Sequence, residues 1–298
     1  MNTYDILIMY LVAGLLASVA LSVLAIRAKV IRRGAMPQSV MVGTLVTLSG
    51  FPSVLLFILF LAYTTLVTRL GKERKVKLGV ADDVEGRKAN QVVAVGFTPA
   101  VMAMASSIMY AVGLTEASGV FLASYVASLA AASADTWASE IGVLSRGRPI
   151  LFTMPRARVS PGTSGAVTPL GELSSLAGSA SVALTYLALT RVFNTSPLWV
   201  KFNWGSLNPS IQLVLLIIAL GYVGEVMDSV IGALTQPKYY CDRCGVVTEH
   251  EVHTCGERTR LIYDPRVKLS NEAVNLLESL IAAVLAIVIT LSFSRLLT

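Results

Sequence analysis

Outside residues 241–255 this chain of 298 residues has neither cysteine nor histidine, and charged side chains make up only 14% of it. A soluble domain is typically about a quarter charged, so the shortage of charge excludes a large water-soluble core. The shortage of histidine leaves no imidazole for acid–base catalysis except in that one short loop. No Gly-x4-Gly-Lys-Ser/Thr, Gly-x-Ser-x-Gly or His-Glu-x2-His pattern occurs, so soluble NTPase, esterase and zinc protease readings have no support. No convincing internal repeat is present. Basic residues are also missing ahead of the first apolar run, which contains Asp5 and is followed by Arg27, Lys29, Arg32 and Arg33. That is the reverse of a cleavable signal peptide, and the expectation is a retained anchor with its N-terminus outside.

What remains is apolar. Hydrophobic residues make up 54% of the chain and the mean hydropathy is +0.69. Runs long enough to cross a bilayer occur at Tyr4–Ile26, Val92–Val112, Ala117–Ile141, Ser164–Arg191, Ile211–Leu234 and Ala273–Leu296. Between the first two lies Ser39–Val67, interrupted by Gly50-Phe51-Pro52. Loops 27–36, 69–88, 146–158 and 238–268 hold 21 of the 24 lysines and arginines, leaving only Arg191, Lys201 and Arg295 elsewhere. The positive-inside rule puts all four loops in the cytoplasm. Residues 39–67 must then cross an even number of times or not at all, as a hairpin of short or re-entrant helices broken at the Gly-Phe-Pro step. The sequence therefore predicts an all-α polytopic membrane helix bundle. It has about eight membrane segments, or six spans plus a re-entrant pair, with both termini outside. Residues 1–298 form one integral membrane domain, carrying the loop 237–268 as a small cytoplasmic Cys/His insertion. The net charge of +6 and pI near 9.3 follow from topology and anionic lipid, without nucleic acid as a partner.

Given that orientation, polar residues collect at one level. Asp135, Thr136 and Glu140, in the stretch Ala134-Asp135-Thr136-Trp137-Ala138-Ser139-Glu140, end an inward span, and Glu225 and Asp228 lie toward the end of another. Thr163, Ser164, Thr168 and Glu172 open an outward span, as do Asn271, Asn275 and Glu278, while Asn90 and Gln91 follow Arg87-Lys88. Ionisable groups at membrane depth cost several kcal/mol unless paired or hydrated, and they mark substrate, ion or proton sites. Helical spacing puts Glu225 with Asp228, Asn271 with Asn275 and Glu278, and Ser164 with Thr168 and Glu172 on shared faces. Twelve of the 18 residues of Ala117–Ala134 are Ala, Ser or Gly, which lets neighbouring helices approach closely.

Asp135, Glu225 and Asp228 are hard oxygen ligands of the kind Mg²⁺ uses together with substrate phosphates. Pro161-Gly162-Thr163-Ser164-Gly165 reads as a helix start able to offer backbone N–H groups to an anion. Arg87, Lys88, Arg156 and Arg158 are available phosphate partners. Carboxylates, cations and a helix N-terminus facing the cytoplasm form the inventory of phosphoryl or nucleotidyl transfer. A separate signal is Cys241-x2-Cys244 followed by His250, His253 and Cys255. Three thiols and one imidazole complete a closed tetrahedral Zn²⁺ set of the structural type, with His253 preferred for its position beside Cys255. A reducing cytoplasm and an odd cysteine count argue against disulfides.

Asp135-Thr136-Trp137-Ala138-Ser139-Glu140-Ile141-Gly142 and Pro161-Gly162-Thr163-Ser164-Gly165-Ala166-Val167-Thr168 resemble the signature of an integral membrane family, domain-of-unknown-function family 92. That family includes plant phytyl-phosphate kinase and animal transmembrane protein 19. Arg87-Lys88-x2-Gln91-Val92, Gly224-x3-Asp228-Ser229-x2-Gly232-Ala233 and Asn271-x-Ala273-Val274-Asn275 extend the resemblance in the same order from about residue 85 to the C-terminus. Ala134 stands where the family usually has Gly, Ser164 where Asn is common, and Ser270 where Asp commonly precedes the Asn pair.

The resemblance implies a kinase that converts an isoprenyl monophosphate to the diphosphate at the cytoplasmic face, using a nucleoside triphosphate, CTP favoured, and Mg²⁺. Asp135, Asp228, Glu140 and Glu225 are then the expected catalytic carboxylates, with Asp135 and Asp228 holding Mg²⁺, joined by Glu225 or Glu140. Arg87, Lys88, Asn90, Gln91, Gly162, Thr163, Ser164, Gly165, Thr168 and Ser229 would bind phosphate, with Thr136, Asn271 and Asn275 orienting it. The prenyl tail is expected among the small-residue helices. Zn²⁺ on Cys241, Cys244, His253 and Cys255 would staple the loop. A CDP-lipid-forming cytidylyltransferase and a non-enzymatic lipid-phosphate transporter are the alternative readings.

Overall fold

In the computed structural model, residues 3–78, 80, 86–147, 149–151, 153–193 and 209–296 are described. The apolar runs become long helices: α1 (Thr3–Arg27), α3 (Phe51–Arg69), α5 (Ala89–Ala111), α6 (Thr115–Gly142), α7 (Pro169–Val192), α8 (Pro209–Thr235) and α9 (Asn271–Leu296). All seven are long and apolar enough to cross a membrane. The chain is thus a multi-pass helical membrane protein, with two shorter helices, α2 (Met36–Thr47) and α4 (Lys72–Leu78).

Residues 36–69 form the expected hairpin. Its halves are unequal, because 12 residues of α2 rise only about 18 Å, too little to cross a hydrocarbon core of ~30 Å. Gly50 makes the turn at φ +90, a conformation side chains resist. Pro52 then sits in the first turn of α3, where its missing N–H costs nothing.

At the centre is α6, packed against α3, α5, α7, α8 and α9. Its small residues serve this packing. A Cβ added at Gly224 would lie 2.6 Å from Ala131 Cβ, one at Gly178 2.7 Å from Ser133 O, and one at Gly221 2.9 Å from Ala130 C. The helix backbones touch where side chains would stand, and Ala127, Ala130, Ala131 and Ala134 are fully buried. That stripe has no room for a prenyl tail, contrary to the sequence-based expectation. Tyr125 fills the bundle interior and donates its hydroxyl to Ser53 O at 2.7 Å, satisfying a polar tip in an apolar core. Large apolar side chains such as Leu16, Leu66 and Val192 face outward, as a lipid-facing surface requires.

The basic loops meet at one end of the bundle. Arg87 N–H donates to Val30 O and Arg32 N–H to Arg87 O, each at 3.0 Å. Arg69 donates to Ala28 O, Arg74 to Ser145 O, and Val247 N–H to Arg158 O. These bonds link all four loops in a chain. Arg148 and Lys201 lie outside the described residues.

Two small sheets sit at this end. Strands β1 (Ile150–Leu151) and β2 (Ala166–Val167) pair antiparallel. Strand β3 (Lys238–Cys241) lies between β4 (Val246–Thr248) and β5 (Arg260–Tyr263), forming the knuckle that follows α8.

Candidate functional site

Three helices bring carboxylates to one depth. Asp135 stands seven residues before the end of α6, Asp228 seven before the end of α8, and Glu278 seven after the start of α9. All are therefore about 10 Å below the helix ends on the basic side. One oxygen from each lies within 4.8 Å of the others. Glu278 is 1% exposed and Asp228 9% exposed, so carboxyl groups converge where water is scarce. Asp228 Oδ1 and Glu278 Oε2 are buried and have no hydrogen-bond partner among the described residues.

Neighbouring side chains orient this group. Asn275 lies one turn before Glu278 and donates through Nδ2 to Asp135 Oδ2 at 3.5 Å. Glu225 is on the same α8 face as Asp228 but is engaged elsewhere, accepting from Ser229 Oγ at 3.1 Å and Ser175 Oγ at 3.4 Å. Glu172 on α7 accepts from Tyr222 at 2.8 Å. Thr136 donates to Ala132 O of its own helix, an i−4 bond that uses its hydrogen internally.

Two expectations need correction. Glu140 is not one of the grouped carboxylates. Five residues along a helix turn it about 140° away from Asp135. Its Oε2 accepts from Lys75 Nζ at 2.6 Å, with side chains 12% and 2% exposed. Lys75 also donates to Val67 O and Thr68 O, capping the end of α3, so this ion pair locks α4 and α6 together.

Gly162–Gly165, in turn, is not a helix start. Helix α7 begins at Pro169, with Thr168 as its cap accepting from Gly171 N–H at 3.0 Å. Ser164, Thr168 and Glu172 therefore share no helix face. Residues 161–165 form turns with Gly162 at φ +80 and Gly165 at φ +76. This turn lies directly on α8, since a Cβ at Gly165 would be 2.6 Å from both Ala233 Cβ and Ser229 O. Its Thr163 hydroxyl donates to Ser160 O, and Ser164 N–H donates to Glu249 Oε2 at 3.0 Å. The backbone does receive an anion here, one supplied by the knuckle.

The other predicted residues lie at the starts of α5 and α9. Gln91 Oε1 accepts from Lys88 N–H at 2.8 Å and Asn90 Nδ2 donates to Glu272 at 2.7 Å. These bonds hold the start of α5 beside α9, with Arg87 fixed by the main-chain bonds already described. Asn271 is exposed at the first position of α9.

Glu278 was not singled out from sequence as a metal ligand. Its spacing from Asn271 and Asn275 placed it on their face, and that face was the available signal.

Cys241, Cys244, His253 and Cys255 form a second group, their ligand atoms within 4.8 Å of one another. The His253 ring beside Cys255 holds that thiol down to about 6. His250 is not part of the group. Lys238 at the base of the knuckle is fully buried, donating to Gly232 O, and burial lowers it to about 8 against the opposing pull of Glu249. Between turn and knuckle is a cleft of about 290 Å³ lined by Lys77, Val80, Ser160, Gly162, Glu249 and His250 among others.

Residues 16–283 match the family described as integral membrane protein DUF92. An uncharacterized membrane protein of Methanocaldococcus jannaschii is 32% identical over 206 residues, 69% of this chain and 74% of its own. Protein PGR of Arabidopsis thaliana is 27% identical over 206 residues, 65% of this chain and 67% of its own. No solved structure matches the chain.

Proposed function

Since the chain belongs to the DUF92 family of integral membrane proteins, with carboxylates gathered beneath a basic membrane face, we propose that it phosphorylates a lipid monophosphate at that face. The substrate class is an isoprenyl monophosphate, the donor a nucleoside triphosphate with CTP favoured, and the basic face is cytoplasmic. The single observation that carries this reading is the trio Asp135, Asp228 and Glu278, drawn from three helices to within 4.8 Å. Ionised carboxylates gathered where two of them, Asp228 and Glu278, are buried work against a fold, and a divalent cation would offset that cost.

The residues fit a hard divalent ion. Asp228 Oδ1 and Glu278 Oε2 have no hydrogen-bond partner among the described residues, and all three donors are carboxylates, the class that Mg²⁺ prefers. Asp135, Asp228 and Glu278 would hold Mg²⁺, with Asn275 fixing the angle of the Asp135 carboxylate. Bound there, the ion would offset charge on the donor and acceptor phosphates.

An oxygen of the lipid monophosphate attacks the terminal phosphorus of the donor, the bond to the bridging oxygen breaks, and nucleoside diphosphate leaves. The attacking oxygen is already anionic, so no proton need be removed and no histidine base is required. Positioning and charge neutralisation suffice. Basic side chains of the four joined loops would draw both phosphates to the face. Because the small-residue stripe of α6 is filled by its neighbours, the prenyl tail would lie along the outer apolar surface, in the hydrocarbon.

The test is to incubate the purified full chain with labelled nucleoside triphosphates and a panel of prenyl phosphates, then resolve the products. Prenyl diphosphate with nucleoside diphosphate is the expected outcome. Release of pyrophosphate would identify a cytidylyltransferase, and binding without turnover, with transport in sealed vesicles, a carrier. Either result overturns the kinase reading.

A further inference from the structure

We propose that Cys241, Cys244, His253 and Cys255 hold one Zn²⁺, which clamps the knuckle onto the turn that covers the end of α8. The inference does not depend on the proposed reaction. It concerns what holds the basic face together.

The distances match a metal site better than free thiols or a disulfide. Cys241 Sγ and Cys255 Sγ are 3.7 Å apart, far beyond the ~2.05 Å of a disulfide. Tetrahedral zinc, with Zn–S of about 2.3 Å and Zn–N of about 2.0 Å, separates two sulfurs by roughly 3.8 Å and sulfur from nitrogen by roughly 3.5 Å. His253 Nδ1 is 3.3 Å from Cys255 Sγ. Three sulfurs and one nitrogen fill the coordination shell and leave no open position, so the site is structural. Binding displaces the thiol protons, giving a thiolate site whose charge the ion offsets.

Which histidine binds, and through which nitrogen, follows from its two ring contacts. Nδ1 lies 3.3 Å from Cys255 Sγ, while Nε2 lies 3.3 Å from Ser160 Oγ. With Nδ1 on the metal, Nε2 carries the proton and donates it to the serine hydroxyl, the usual way a metal-bound imidazole is held in one orientation.

That serine makes the site a clamp. Ser160 N–H donates to Val247 O at 2.8 Å, and Val247 N–H to Arg158 O at 2.7 Å. Both bonds join the knuckle to the strand-like segment that enters the turn 161–165. Four residues on, Ser164 N–H is bound by Glu249. The turn then rests on Ser229 and Ala233 of α8. Zinc fixes the knuckle, the knuckle fixes residues 158–165, and these cover the end of the helix that carries Asp228.

The experiment uses untagged full-length protein purified in detergent without chelator. Elemental analysis should find one zinc per chain. Replacement by Co²⁺ should give thiolate-to-cobalt charge-transfer and tetrahedral ligand-field bands. C244S and H253A should lose stoichiometric metal, and H250A should keep it. Zinc removal from the wild-type chain should speed hydrogen exchange at residues 158–165 at least tenfold while sparing the buried middle of α6.

A wild-type chain that neither carries zinc nor takes up cobalt with these bands overturns the site, whatever the variants do. Metal lost in H250A but kept in H253A overturns the ligand assignment. Zinc loss with unchanged exchange at 158–165 overturns the clamp.

Discussion

A carboxylate oxygen of Asp228 on α8 lies within 4.8 Å of one from Glu278 on α9, both residues being buried. Without a cation, ionising both of these carboxyls works against the fold. Glu278→Gln should therefore stabilise the metal-free protein while reducing turnover by roughly a hundredfold or more. Thermal unfolding with and without Mg²⁺ checks the first half. The wild type should gain stability on adding Mg²⁺, and the variant should gain little.

Glu140 should behave in the opposite way. Removing it leaves the Lys75 ammonium buried, and breaking such a pair costs about 3–5 kcal/mol. Glu140→Ala should lower the unfolding temperature sharply, yet the fraction that remains folded should turn over normally. Replacing both partners with Leu and Met should recover much of the loss. A folded Glu140→Ala protein with normal stability and no activity would return Glu140 to the reaction.

These two glutamates show what the sequence could and could not reveal. Spans, basic loops and the 36–69 hairpin were legible because bilayer thickness and loop charge constrain them directly. Asp135 and Asp228 stood out as ionisable groups in apolar helices. Glu140 looked equivalent because its partner is Lys75, which belongs to a short helix brought beneath α6 only by folding. Glu278 was visible on the Asn275 face, but its meeting with Asp228 depends on how α8 and α9 pack. The misplaced start of α7 had a readable signal, since Thr168-Pro169 is a cap followed by a first-turn proline.

Gly165 and Gly113 offer a controlled pair. Both have positive φ, +76 and +83, so alanine strains the backbone at either. Only Gly165 is crowded, with Ala233 and Ser229 O 2.6 Å from an added Cβ, whereas Gly113 has nothing within 4 Å. Gly113→Ala should cost about 1 kcal/mol. Gly165→Ala should cost clearly more and displace the turn from α8. Thermal unfolding of the two variants side by side checks this.

Lys238 predicts a pH dependence. Its folded value, about 8, lies below the ordinary 10.5 because burial disfavours the charged form. Between these values the unfolded chain binds more protons, so this residue makes stability rise with pH from about 8 to 10.5. Below about 8 both states are charged and the burial penalty is fully present. Lys238→Met should accordingly stabilise the protein most at pH 7 and least near pH 10. Unfolding temperatures of both proteins across that range test the sign.

The central claim is that Asp135, Asp228 and Glu278 form one divalent cation site. Counting bound Mn²⁺ per chain by electron paramagnetic resonance, with Mn²⁺ standing in for Mg²⁺, tests it most directly. The account predicts saturable binding in the wild type, lost in Asp228→Asn and Glu278→Gln but retained in Glu140→Gln. Equal binding in all four proteins, or none in the wild type, would contradict it.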